Sequence, residues 1–129
     1  MRYLCLIYLN DEQLGALPQP EVNRLNANHL EFNDAILSSG HFVEAEALEA
    51  PSSATCVRVR NGRTAATDGP FAETKEQVAG FYLIEARDLN EAIQIAARIP
   101  AAPLATIEVR PCRDLIVDGV ARKASSKPR

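Results

Sequence analysis

The chain has 129 residues, enough for one hydrophobic core and too few for two. Its 47% apolar and 24% charged residues are those of an ordinary soluble domain, and a net charge of −3 provides no electrostatic footprint for nucleic acid. Nothing in it has the length and apolarity of a membrane span or a secretory leader, so no membrane partner and a cytoplasmic location are expected.

In chain order, Arg2–Leu9 is nearly all apolar, with aromatic and β-branched residues, and predicts a central strand buried on both faces. A polar connection follows. Pro18 and Pro20 mark a helix start, where a missing N–H costs nothing. From Glu21 to Ser39, Val22, Leu25, Phe32 and Ile36 fall on one side of a 3.6-residue repeat, and His29 falls on the same stripe. Leu30 and Leu37 widen that stripe, and Gly40 ends the helix.

His41–Leu48 predicts a short strand, closed by the loop signal Glu-Ala-Pro-Ser-Ser. Thr55–Arg60 alternates, with Val57 and Val59 on one side and Arg58 and Arg60 on the other. Asn61-Gly62 is a strong hairpin signal, which makes Arg63–Thr67 the return strand. Asp68–Ala79 is then a loop, and Gly80–Ala86 a strand. Asp88 and Glu91 form a capping box for a helix reaching about Ile99, and Thr106–Arg110 predicts the last strand. Residues 118–129 carry four basic residues against Asp118 and are expected to be a flexible basic tail, so the domain is placed at residues 1–115 and the tail at 116–129.

With the hairpin set aside, the order is β-α-β-β-α-β, the split βαβ or ferredoxin-like plan of an α+β protein. Right-handed crossovers put both helices on one face of the sheet. The other face is left apolar and uncovered, which predicts a homodimer closed sheet on sheet.

The chemistry-bearing residues are few. Cys5, Cys56 and Cys112 are far apart, with no C-x-x-C spacing, so zinc and dithiol chemistry find no support, and neither a dinucleotide nor a Walker fingerprint is present; no cofactor or metal is expected. Ser52 and Ser53 lack the partners a nucleophile needs. Glu73, Lys75 and Glu76 read as a solvated or dimer-rim cluster, Arg58 and Arg60 as surface residues able to receive a carboxylate, and Tyr8 and Tyr82 as core residues that are also candidate proton donors. Phe71 reads as an anchor holding its loop in an apolar pocket, with a substrate-stacking ring as the alternative.

The run Asp68–Gly80 (DGPFAETKEQVAG), with RYLCLIY at the start, ARIPAA at 97–102 and IEVRP at 107–111, closely resembles the YCII-related family, in particular its DGPF-domain branch. The resemblance covers about residues 1–115. It implies a bacterial protein with a ferredoxin-like plait, dimerised through its sheets in a dimeric α/β-barrel type of assembly. It also implies genes often neighbouring extracytoplasmic-function sigma factors, and hence a possible sigma-factor association. The wider family contains a small-molecule dehydrochlorinase, and a His and an Asp form its proposed active site. Those positions fall on His29 and Asp68; a departure is His41 after Gly40, a second imidazole able to compete with the first.

A His on the inner side of a helix is partly desolvated, and a carboxylate beside it fixes its tautomer, so the pair suits proton abstraction next to a carbonyl, elimination or double-bond migration. The bland readings are a core histidine bonded to backbone and an Asp-Gly turn whose carboxylate caps nearby N–H groups. The expectation is a cofactor-free lyase or isomerase using His29 and Asp68, with a non-catalytic ligand-binding or regulatory module as the alternative.

Overall fold

The computed structural model describes residues 1–125. Its main sheet has four antiparallel strands in the order β2-β5-β1-β6: β1 is Arg2–Asn10, β2 Phe42–Ala47, β5 Glu76–Glu85 and β6 Thr106–Pro111. β1 is central, between β5 and β6. Its side chains alternate strictly between buried and half-buried positions, as the two-residue repeat of a strand requires. Tyr3, Cys5, Ile7 and Leu9 face the helices; Leu4 and Leu6 face away and pair across the ladder with Leu83 and Phe81.

Two helices cover one face. α2 (Gln19–Ser38) contributes Phe32 and Ile36, and α3 (Leu89–Ala97) contributes Ala92, Ile95 and Ala96, to one core with Tyr3, Cys5, Tyr82 and Ile84. This order and layering define an α+β protein compatible with the ferredoxin-like plan. A short helix, α1 (Asp11–Gly15), occupies part of the expected polar connection, its first turn capped by the Asn10 side chain accepting from Gln13 N–H. Leu30 and Leu37 do not widen the buried stripe; both point to solvent.

β5 begins at Glu76, four residues before the expected start at Gly80, so the motif loop is shorter than the sequence reading. Gly80 is an interior strand residue, and its need for hydrogen in place of a side chain is steric. A Cβ there would lie 2.7 Å from the Glu46 carbonyl oxygen of β2, which passes close alongside. β3 (Thr55–Arg60) and β4 (Arg63–Asp68) form a separate two-stranded hairpin. Its turn carries positive φ at both Asn61 (52°) and Gly62 (73°), as the Asn-Gly pair predicts.

The expected tail is a second hairpin over much of its length. β7 (Asp114–Val117) and β8 (Val120–Lys123) pair across Asp118 and Gly119, both at positive φ. An Asp-Gly turn between Leu-Ile-Val and Val-Ala is the same signal as Asn61-Gly62, and the basic composition of the segment obscured it. Residues 126–129 of that tail lie outside the described residues.

Candidate active site

The hydroxyl of Tyr82, on β5, meets α2 between two polar side chains one helical turn apart. It donates to Asn33 Oδ1 at 2.6 Å, and His29 Nδ1 lies 3.0 Å from the same oxygen. Residues four apart share a helix face, so His29 and Asn33 flank the hydroxyl as a pair. The Tyr82 ring, 4% exposed, stacks near-parallel with His29 (15° between planes, centroids 6.2 Å apart) and takes Phe32 edge-on at 5.3 Å.

This geometry assigns the tautomer. A phenol has one proton, and here it is directed to Asn33; its oxygen is left to accept, so His29 Nδ1 carries the N–H and donates it to Tyr82 Oη. His29 Nε2 is then the unprotonated nitrogen, and it has no hydrogen-bond partner among the described residues. Burial sets both charge states. It holds the His29 imidazole below its usual pKa, favouring the neutral base, and pushes the Tyr82 phenol up to about 12, favouring the neutral donor.

Asp68 ends β4, opposite Thr55 in the hairpin register, and is exposed. Among the described residues no hydrogen bond joins its carboxylate to His29, and burial alone shifts the His29 pKa, with no carboxylate opposing it by raising the value. The backbone after it is tightly held: Gly69 (φ 101°) donates its N–H to Ala54 O at 2.7 Å, and the Cys56 thiol donates to Gly69 O at 3.3 Å. Cys56 is thus a half-buried polar tie as well as a small apolar residue.

The rest of the motif folds on itself. Gln77 Nε2 donates to the Ala72 and Thr74 carbonyls, and Thr74 Oγ1 donates to Glu76 O. Phe71 is not anchored in an apolar pocket; it is 83% exposed, with the Arg58 guanidinium 5.8 Å above its ring. Pro70, Glu73, Thr74 and Lys75 line a cleft of about 610 Å³ together with Asp11 and Glu12.

His41 serves elsewhere. Its Nδ1 lies 2.7 Å from Ser39 Oγ at the end of α2, and its Nε2 lies 3.2 Å from Glu91 Oε1 in the first turn of α3. Glu91 also accepts from Arg87 N–H, one residue before the Asp88 cap whose N–H a regular capping box would use. That bond is the chief reason its carboxyl lies below the usual range, with Arg87 and His41 adding to it. Tyr8 is on the far face of the sheet, where its hydroxyl donates to Glu108 Oε1 at 3.0 Å. Among the described residues no cluster of three His, Cys, Asp or Glu side chains is placed to hold a metal ion, and no helix is long and apolar enough to cross a membrane.

The sequence reading names His29 and, as a candidate proton donor with core packing the default, Tyr82; it does not name Asn33, which the structure places beside both. The available signal was a polar residue four positions after His29 on the inward side of the same helix.

An α+β domain with one helix-borne imidazole on an antiparallel sheet is the class that fold and site define. The family profile described as the YCII-related domain matches residues 1–116, nine-tenths of the chain. A relative from Rhizobium meliloti (strain 1021), named "Uncharacterized protein R00369", is 34% identical over 113 residues, which is 86% of this chain and 91% of the relative. The chain belongs to the YCII-related family.

Proposed function

We propose that this protein is a cofactor-free acid–base catalyst of lyase or isomerase type acting on a small molecule, with His29 as the proton-transferring group. The observation that carries this reading is the Asn33–Tyr82–His29 relay, which leaves Nε2 as a neutral base of fixed orientation. In the reaction, the Nε2 lone pair takes a proton from a carbon made acidic by an adjacent carbonyl, and the C–H electron pair becomes the enolate. The imidazolium then returns the proton to a second carbon, giving an isomer. Alternatively, the enolate pair forms a carbon–carbon double bond as a leaving group on the next carbon departs with its own bonding pair, giving an elimination.

Asp68 belongs to the proposal as the second titratable group. The resemblance implies it; its exposed carboxylate has no partner among the described residues and adds nothing to the His29 shift, so its proposed role is towards the substrate. The domain acts as a ferredoxin-like homodimer closed over the face that carries Leu4, Leu6, Phe81 and Leu83.

The test is deuterium uptake from D2O into a panel of small ketones and keto acids, followed by proton NMR. Uptake above the buffer rate, lost in His29→Gln and reduced in Asp68→Asn, is the expected result. Equal uptake by wild type and His29→Gln across the panel would falsify the catalytic reading.

A second reading is favoured by the polar cleft along the motif loop, which does not include His29. A non-catalytic ligand-binding or regulatory module, one that engages a sigma factor included, would use that cleft and show no turnover. Glu73→Ala with Lys75→Ala, tested by ligand binding, separates the two, since the acid–base reading assigns neither residue a role.

A further inference from the structure

Arg98 caps the C-terminus of α3, in the ARIPAA run, and its guanidinium carbon lies 5.7 Å from the centroid of the Phe32 ring. Arg2, Arg87 and Arg110 each face a carboxylate; Arg98 has none among the described residues. Its one described partner is therefore an aromatic ring that belongs to the His29 site. Phe32 stands edge-on to Tyr82 and three residues after His29 on the same helix face. Side chains at that spacing have Cβ atoms about 5–6 Å apart. Phe32 thus neighbours both the Arg98 cation and, one turn earlier on α2, the His29 imidazole.

A guanidinium laid on an aromatic face keeps its in-plane N–H groups free, and those groups form a fork that matches a carboxylate. The ring also shields one face of the cation from water, which strengthens what the fork binds. The chain carries a net negative charge, so an anionic ligand gains most where a cation faces no carboxylate, as at Arg98. Arg58 on Phe71 is stacked too, but on the hairpin; Arg98 is the stacked cation whose ring neighbours the neutral base.

We infer that Arg98 is the specificity-determining residue of the His29 site and that the substrate class is a small carboxylic acid. Its carboxylate docks on the Arg98 guanidinium while a carbon-bound proton a few bonds away faces His29 Nε2. This rests on the acid–base reading of His29 given above. It adds which molecules that base serves. It also gives the cation a second effect, because a fixed positive charge stabilises the enolate formed when the proton leaves.

The experiment uses the full chain with benzoate and its neutral isostere benzamide as probes, observed through the carbon-13-edited NMR signal of the His29 ring. Benzoate is expected to shift that signal and to bind about tenfold or more tighter than benzamide, the difference one charge-assisted fork supplies. Arg98→Ala is expected to erase the preference. Arg98→Lys, which keeps the charge at the helix end without the fork, retains a fraction of it, and Arg24→Ala, a surface arginine on α2, retains all of it. Equal binding of the two probes, no binding of either, or a benzoate preference undiminished in Arg98→Ala overturns the carboxylate assignment. The deuterium-uptake comparison of His29→Gln is independent of these titrations, so a failure of the base and a failure of the anion site are told apart.

Discussion

Replacing Tyr82 by Phe removes one oxygen atom and leaves the ring. The edge-on contact with Phe32 and the stacking on His29 stay, because both are made by carbon. What goes is the hydrogen bond to Asn33 at 2.6 Å and the one from His29 at 3.0 Å. A neutral hydrogen bond contributes about 1 kcal/mol net, and a group left buried without a partner costs about 1–3 kcal/mol. His29 and Asn33 are only half-buried, so water replaces part of the loss. The sum is a destabilisation of about 1–2 kcal/mol. The chain has no tryptophan, so urea unfolding is best followed by far-ultraviolet circular dichroism. A second readout belongs to the relay alone: nitrogen-15 shifts of His29 are expected to move from the Nδ1–H form towards the Nε2–H form that free histidine favours. Tyr82→Phe with wild-type stability and an unchanged His29 tautomer would show that the hydroxyl does not hold the ring, and the assignment of Nε2 as the base would fall with it.

Three further expectations follow from the geometry. Gly80→Ala should cost about 1–3 kcal/mol by the same unfolding assay, since the new methyl meets the Glu46 backbone at 2.7 Å; Gly15→Ala, with open space around it, should not destabilise. Because burial lowers the folded-state pKa of His29, the unfolded chain takes up that proton first as pH falls. Stability from this group is complete above about 6.5 and lost through the lowered folded value, and His29→Gln should flatten that part of a stability–pH curve. Phe71→Ala should change stability by less than about 1 kcal/mol, the most an exposed cation–π contact supplies, whereas an anchored ring would cost several times as much.

Much of the architecture was legible because it rests on local patterns. Alternation in Thr55–Arg60 followed by Asn61-Gly62 located a hairpin, whose return strand runs one residue further than expected to include Asp68, and the Asp88–Glu91 box located the start of α3. The start of β5 was not, because Glu76 and Gln77 are polar and strand only through pairing with Asn10 and Leu9 across the ladder. Leu30 and Leu37 misled because a widened stripe is only a count of apolar residues, and the second wall it needs is absent. At the site, His29 was visible as an odd residue on an apolar stripe. Its partner lies 53 residues away on a strand, where a buried tyrosine carries no mark of what its hydroxyl touches. Only the packing of α2 on β5 makes that pairing.

The His41 bridge between the last turn of α2 and the first turn of α3 has a mechanical consequence. It buttons the two helices together at one end of the layer and leaves the opening half of α2, whose Val22 and Leu25 are only half-buried, without a comparable fastener among the described residues. Amide exchange should therefore be slowest around Ile36 and fastest near Glu21, with the helix lifting like a hinged flap. His29 lies between latch and free edge, and small molecules would reach its ring from the side that lifts.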